Sequence, residues 1–84
     1  YKKVTLTLKG YPEAREVFVA GEFNYWSPRA SRMTRRGDAW VCEVEMETGR
    51  QPYKYIVDGA WMVDPSNKKT AQDGEHTNSV IDVE

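Results

Sequence analysis

Residues around the Asp58-Gly59 dipeptide carry chemistry suited to ligand recognition. Asp-Gly between two apolar runs predicts a tight hairpin, because a two-residue turn of this kind needs positive φ at both positions. With these two residues as the loop, Ile56 lies opposite Trp61, and Lys54 shares their face. A lysine is seldom fully buried, so we expect this face to point outward. An exposed indole of ~150–250 Å² beside an ammonium group would offer a ligand an apolar platform and a hydrogen-bond donor.

The same spacing allows a second interpretation of this tryptophan. Trp61 could fold over Ile56 and merely close the surface of the sheet, and the spacing of the residues does not separate the two possibilities. The opposite face of the hairpin is expected to point into the core; it carries Tyr55, Val57, Ala60 and Met62.

Two other groups of titratable residues could be read as sites. Asp73, Glu75 and His76 contain metal-ligating atoms, but one histidine and two carboxylates without a cysteine form a weak metal motif. Asp58 and Asp64 could be imagined as the carboxylate pair of a glycosidase. The turn explains Asp58 and a bend before a proline explains Asp64, so we predict that the protein is not an enzyme and has no cofactor or metal.

A run of arginines lies between residues 29 and 36 and could contact phosphate or nucleic acid. It consists of Arg29, Arg32, Arg35 and Arg36. Lys and Arg number 12 against 13 Asp and Glu, which leaves a formal net charge of -1 and no global field for nucleic acid or an anionic membrane. A solvated loop is therefore the favoured interpretation, and neither nucleic acid nor a membrane is expected as a partner.

The composition predicts one small folded domain. Eighty-four residues suffice for a single core, and the 39% hydrophobic content, with 10 residues among Trp, Tyr and Phe, can fill it. Trp40 and Cys42 share one face of a predicted strand with Val44 and Met46, and this face is expected to point into that core. A lone cysteine cannot form an internal disulfide, which favours an intracellular location, cytoplasmic or plastid. Because the chain opens at Tyr1 without Met, we expect residues 1–84 to be a segment of a larger protein.

The pattern along the chain predicts an all-β fold. Segments with period-two alternation or β-branched and aromatic enrichment are separated by Gly, Pro, Asn and Asp, which indicates an antiparallel β-sandwich of six to seven short strands. The long segment Glu22 to Asp38 is predicted as a loop with one helical turn near Ala30 to Met33, and a loop of that length is often functional. The predicted strands are Val4–Lys9, Glu16–Ala20, Trp40–Glu47, Tyr53–Val57, Ala60–Val63 and Ser79–Val83.

Three separated sequence blocks resemble carbohydrate-binding module family 48, which includes the glycogen-binding domain of AMP-activated protein kinase β subunits. They are Val17 to Trp26, Tyr53 to Trp61 followed by Asp64-Pro65, and Asn78 before the last strand. The resemblance covers about Glu16 to Val83 and implies an immunoglobulin-like sandwich of the early-set type. Two positions depart from the kinase pattern: Tyr25 replaces an asparagine, and Asp73 is the nearest counterpart of a bulky leucine.

The resemblance also implies site residues and a ligand. In this family two tryptophans stack on glucose rings while a lysine and an asparagine bond to hydroxyls, and these correspond to Trp26, Trp61, Lys54 and Asn78. The expected partner is an α-1,4-linked glucan such as glycogen, starch or a maltooligosaccharide, bound without catalysis to tether linked catalytic or regulatory domains to the polymer. The rival hypothesis is a spacer module whose tryptophans are buried against a catalytic domain or partner subunit.

Overall fold

A computed structural model describes all residues, from Tyr1 to Glu84. The chain folds into eight strands and one 3₁₀ turn at Glu22–Asn24. The strands are β1 (Lys2–Lys9), β2 (Val17–Gly21), β3 (Thr34–Arg36), β4 (Ala39–Met46), β5 (Gly49–Val57), β6 (Ala60–Met62), β7 (Thr70–Asp73) and β8 (His76–Val83). No helical segment has the length and hydropathy required to cross a bilayer.

The strands form two antiparallel sheets that confirm the predicted all-β sandwich. The first sheet has the order β1-β4-β3, and the second has the order β2-β5-β8-β7 with β6 added beside β5. The core between them is built from alternate residues of each strand, since successive side chains point to opposite faces. Leu8 of β1, Val19 of β2, Met46 of β4 and Tyr55 of β5 are all fully buried there.

The β5–β6 hairpin has the predicted register. Tyr55 pairs with Met62, Ile56 with Trp61 and Val57 with Ala60. Asp58 and Gly59 form the turn with φ of 47° and 87°, the left-handed conformation that the Asp-Gly signal predicts. Tyr55 enters the main core as expected, whereas Ala60 is exposed beside the hairpin tip rather than buried.

Three local predictions were wrong. The segment Ala30 to Met33 contains no helical turn; the helical turn of this loop lies instead at Glu22–Asn24, and the loop ends in β3. The predicted last strand Ser79–Val83 begins earlier, as β8 at His76, and it is preceded by an additional strand, β7, joined to it by a tight turn with Gly74 at φ 64°. Strand β5 begins at Gly49, not Tyr53, because residues 49–53 pair with β8.

Candidate functional site

An open groove with a cavity volume of about 530 Å³ lies on the outer face of the five-stranded sheet. The groove is lined by Trp26, Lys54, Trp61, Asp73, His76 and Asn78. All four residues that the family resemblance implies as site residues are therefore brought together. The lining also includes His76 and Asp73, the counterpart of a bulky leucine in the kinase pattern, although neither was expected as a site residue.

Strand alternation in β5 sets the position of Lys54 and Trp61. Tyr53 and Tyr55 point into the core, so Lys54 between them points to the outer face. Trp61 pairs with Ile56 across the hairpin and lies on that same face, where 47% of its surface remains exposed. The ring is therefore open to a ligand and has not closed over the sheet.

Trp26 reaches the groove because its loop packs back onto the same sheet. A small apolar cluster of Phe18, Ala20 and Ile56 lies on the outer face, and Trp26 packs against it while staying half-buried. Burying one side of an indole restricts its rotation and leaves the rest available to a ligand. Period-two alternation does not extend into this loop, so the position of Trp26 could not be derived from spacing.

The chain turns sharply before Trp26, and Asn24 holds the turn. The Asn24 side chain accepts a hydrogen bond from the amide of Gly21 and donates to the carbonyl of Val19 and the hydroxyl of Ser31, each at 3.0 Å. The amide of Trp26 donates to the carbonyl of Gly21 at 2.9 Å. These bonds tie both ends of the loop to the edge of β2, so Asn24 is a structural determinant of the groove.

Glycine is required at position 21 by close approach of the surrounding chain. A Cβ atom there would lie 2.6 Å from the carbonyl oxygen of Pro52 and 2.7 Å from the ring of Phe23. Tyr25 and Trp26 follow with φ of 56° and 58°, a left-handed conformation that is costly for residues other than glycine. The loop therefore keeps a strained turn at the point where it presents Trp26 to the groove.

The β7–β8 hairpin supplies the remaining wall. Asp73 pairs with His76 across its two-residue turn, and Ala71 pairs with Asn78. Asn78 is only 7% exposed, yet its side-chain amide makes no hydrogen bond within the chain, and no fully buried polar atom is left unpaired. Asn78 lines the groove, so its unpartnered amide is available to a ligand there.

The polar atoms of the groove differ from those of the core in being unpartnered. The indole N–H of the buried Trp40 donates to the carbonyl of Tyr11 at 3.2 Å, as expected for a core tryptophan. The indole N–H groups of Trp26 and Trp61 have no such acceptor, and the Lys54 ammonium makes no ion pair. The groove therefore offers donors and apolar faces that the fold does not use.

Three residues of the arginine run lie over aromatic rings at the surface of the domain. Arg29 and Arg32 lie over the Phe18 ring, with guanidinium carbons 5.0 and 5.9 Å from its centroid, and both approach Glu16 at 3.5 and 3.6 Å. Arg35 lies over Trp40 in the same way. A cation over an aromatic face is attracted by the ring quadrupole. The Arg29 and Arg32 side chains nevertheless stay 70% and 62% exposed, in keeping with the predicted solvated loop.

The two aspartates considered as a catalytic pair have separate structural roles. Asp58 accepts hydrogen bonds from the amides of Glu16 and Arg15 at 3.0 and 2.9 Å, which lowers the pKa of its carboxyl group. Asp64 is buried, accepts a hydrogen bond from the Tyr53 hydroxyl at 2.7 Å, and therefore does more than bend the chain before a proline. Neither aspartate lines the groove.

The remaining candidates give no evidence of a reactive centre. No group of three or more His, Cys, Asp or Glu side chains is arranged to hold a metal ion. Cys42 is half-buried rather than fully buried, and burial raises the pKa of its thiol above the ordinary value. A raised thiol pKa lowers the thiolate fraction at neutral pH, in keeping with the prediction that Cys42 is a packing residue.

The two-sheet fold with an indole-lined groove on one sheet face defines a β-sandwich binding module. The family described as the glycogen recognition site of AMP-activated protein kinase matches residues 3–84. Over 69 residues, 82% of the chain, the sequence is 33% identical to 5'-AMP-activated protein kinase subunit beta-1 of Sus scrofa and 35% identical to that of Bos taurus. It is 33% identical to subunit beta-2 of Homo sapiens. The chain belongs to this glycogen recognition family.

The match covers only part of each relative. It spans 55% of the Sus scrofa sequence and 25% of the Bos taurus and Homo sapiens sequences. The family assignment therefore concerns this domain, and it agrees with the resemblance that the three sequence blocks carried.

Proposed function

We propose that this domain binds α-1,4-linked glucan in the groove, without catalysis, and tethers a larger protein to glycogen or starch. The observation that carries the proposal is the convergence of two accessible indoles with the unpartnered polar groups of Lys54 and Asn78. A glucose unit has an apolar face of C–H groups and a rim of hydroxyls. Trp26 and Trp61 would stack on the faces, while Lys54 donates to hydroxyls and the Asn78 amide both donates and accepts.

The expected affinity is modest and suits a polymer ligand. Stacking on an aromatic ring is worth ~1–3 kcal/mol for a planar base, which serves here as a guide for sugar. Two such platforms and a few exposed hydrogen bonds of ~0.5–1.5 kcal/mol each would leave ~5–6 kcal/mol net, a dissociation constant on the order of 100 μM. A glycogen particle repeats the ligand many times, so multivalent attachment would compensate for the weak single contact.

Retention in a native gel containing glycogen tests this proposal. The wild-type domain should be retarded, and Trp61→Ala should migrate faster in glycogen because ~1–3 kcal/mol of stacking is lost. Tyr11→Ala is the matched control, since Tyr11 is an exposed aromatic residue outside the groove. If wild type and Trp61→Ala migrate identically to each other both in gels that contain glycogen and in gels that lack it, the binding proposal is rejected and the spacer module is favoured.

Salt dependence separates sugar binding from binding to nucleic acid. Affinity for a neutral maltooligosaccharide should change little between ~50 and ~200 mM salt, whereas contacts with several phosphates would lose orders of magnitude. A steep loss of affinity with salt would contradict recognition of a neutral sugar in the groove.

A further inference from the structure

A second cavity of about 210 Å³ adjoins the groove and is called here the distal pocket. It shares Trp26, Asp73 and Asn78 with the groove, so the two form one continuous depression on the outer face of the five-stranded sheet. Its other lining residues include Glu22, Arg50, Pro52 and Val80. None of these was implied as a site residue by the sequence.

Strand β5 runs along the axis that joins the two cavities. Lys54, Pro52 and Arg50 are alternate residues and point to the same outer face, each ~7 Å from the next along the strand. Pro52 pairs with Val80 of β8, and the half-buried Pro52 ring forms the apolar floor, since Val80 is only 1% exposed. A ligand that leaves the groove past Trp26 would therefore lie over this floor and reach Arg50, ~13–14 Å from Lys54.

The rim of the distal pocket carries free hydrogen-bonding groups. Neither the Arg50 guanidinium nor the Glu22 carboxylate makes a hydrogen bond or an ion pair within the chain. Asp82, the cross-strand neighbour of Arg50, pairs with Lys69 instead. The distal pocket thus repeats the chemistry of the groove, an apolar surface bordered by donors and acceptors.

We propose that the distal pocket is an additional sugar subsite, in which a linear glucan bound in the groove continues over Pro52 and is held by Arg50 and Glu22. This inference rests on the proposed function, because the groove anchors the chain that the distal pocket extends. The site then selects for chain length: a short oligosaccharide fills only the groove, and a longer one also contacts Arg50.

Calorimetric titration of maltotriose and maltoheptaose into the wild-type domain tests the subsite. Wild type should bind maltoheptaose more tightly than maltotriose. Arg50→Ala should weaken maltoheptaose binding by about three- to tenfold, the equivalent of one or two exposed hydrogen bonds, and leave maltotriose binding unchanged. Arg36→Ala is the control, since Arg36 is an exposed arginine on the other sheet.

A blocking variant gives an independent measurement. Ala71 lines the distal pocket but not the groove, so Ala71→Gln places a long neutral side chain in the subsite and leaves every groove residue unchanged in type. It should reduce the preference for maltoheptaose as Arg50→Ala does.

The outcomes distinguish this inference from the function on which it rests. Loss of length preference in both variants, with maltotriose affinity intact, supports the subsite. If wild type binds both sugars and neither variant changes this binding, the subsite is overturned and groove binding stands. The same holds if both variants weaken the binding of maltotriose and maltoheptaose equally. Failure of wild type to bind either sugar overturns both proposals.

Discussion

Replacing Asn24 with alanine tests how the loop holds Trp26 at the groove. Asn24 does not line the groove, yet its side chain bonds to Gly21, Val19 and Ser31 across both ends of the loop. The Trp26 amide in turn bonds to the carbonyl of Gly21. Alanine at position 24 should therefore lower both the free energy of unfolding and the affinity for maltoheptaose.

The magnitude follows from the three hydrogen bonds that are lost. At ~0.5–1.5 kcal/mol each, Asn24→Ala should lower the free energy of unfolding by ~2–4 kcal/mol. Domains of this kind have ~0.05–0.15 kcal/mol of stability per residue, so most molecules should stay folded without denaturant. Affinity should fall further than the unfolded fraction explains, because the left-handed φ of Tyr25 and Trp26 persists only while neighbouring bonds hold it.

A graded variant makes the measurement sharper. Asn24→Asp keeps the acceptor for the Gly21 amide but loses both donated bonds, so its urea midpoint should fall between those of wild type and Asn24→Ala. Urea denaturation followed by tryptophan fluorescence gives stability, and calorimetry gives sugar affinity. An Asn24→Ala variant with the wild-type urea midpoint, or with full affinity for maltoheptaose, would refute this account of the loop.

Two further predictions concern the buried tyrosines beneath the site. Tyr53→Phe should cost ~1–3 kcal/mol in urea denaturation, because it removes the bonds of the Tyr53 hydroxyl to Asp64 and Asn67, at 2.7 and 3.0 Å, and leaves a buried carboxylate short of a donor. Unchanged stability would contradict this role of the hydroxyl. Burial raises the pKa values of Tyr53 and Tyr55, so the fold favours their neutral forms. The contribution of these two tyrosines to the free energy of unfolding should be complete below pH ~10. It should decline as the pH rises above ~10 toward the raised pKa values of the folded state. A urea midpoint that stays constant up to pH ~11 would contradict this predicted loss of stability.

The β5–β6 hairpin was predictable because its determinants are local. The Asp58-Gly59 turn admits one register, and that register places Trp61 opposite Ile56. The rule that lysine avoids full burial then sets which face is outward. The position of Lys54 and Trp61 on the outer face therefore needed no knowledge of the rest of the chain.

The loop before β3 was not predictable, because its shape depends on residues distant in sequence. The carbonyl of Pro52 limits position 21 to glycine, and Phe18 and Ile56 supply the surface on which Trp26 packs. Turn propensity could indicate a break near Asn24 but not the three bonds that its side chain forms. The same limit explains the missed strand β7, whose polar residues become a strand only by pairing with β8.

The amino-acid sequence alone determined the all-β class and the hairpin register, since these depend on neighbours a few positions apart. The residues to expect at the site came from the family resemblance of three short motifs. Tertiary structure alone decided that Trp26 and Asn78 meet Lys54 and Trp61 in one groove, and that Asp73, His76 and the distal pocket adjoin it. Those side chains come from a loop, two hairpins and a central strand, and only the pairing of β2, β5 and β8 brings them onto one face.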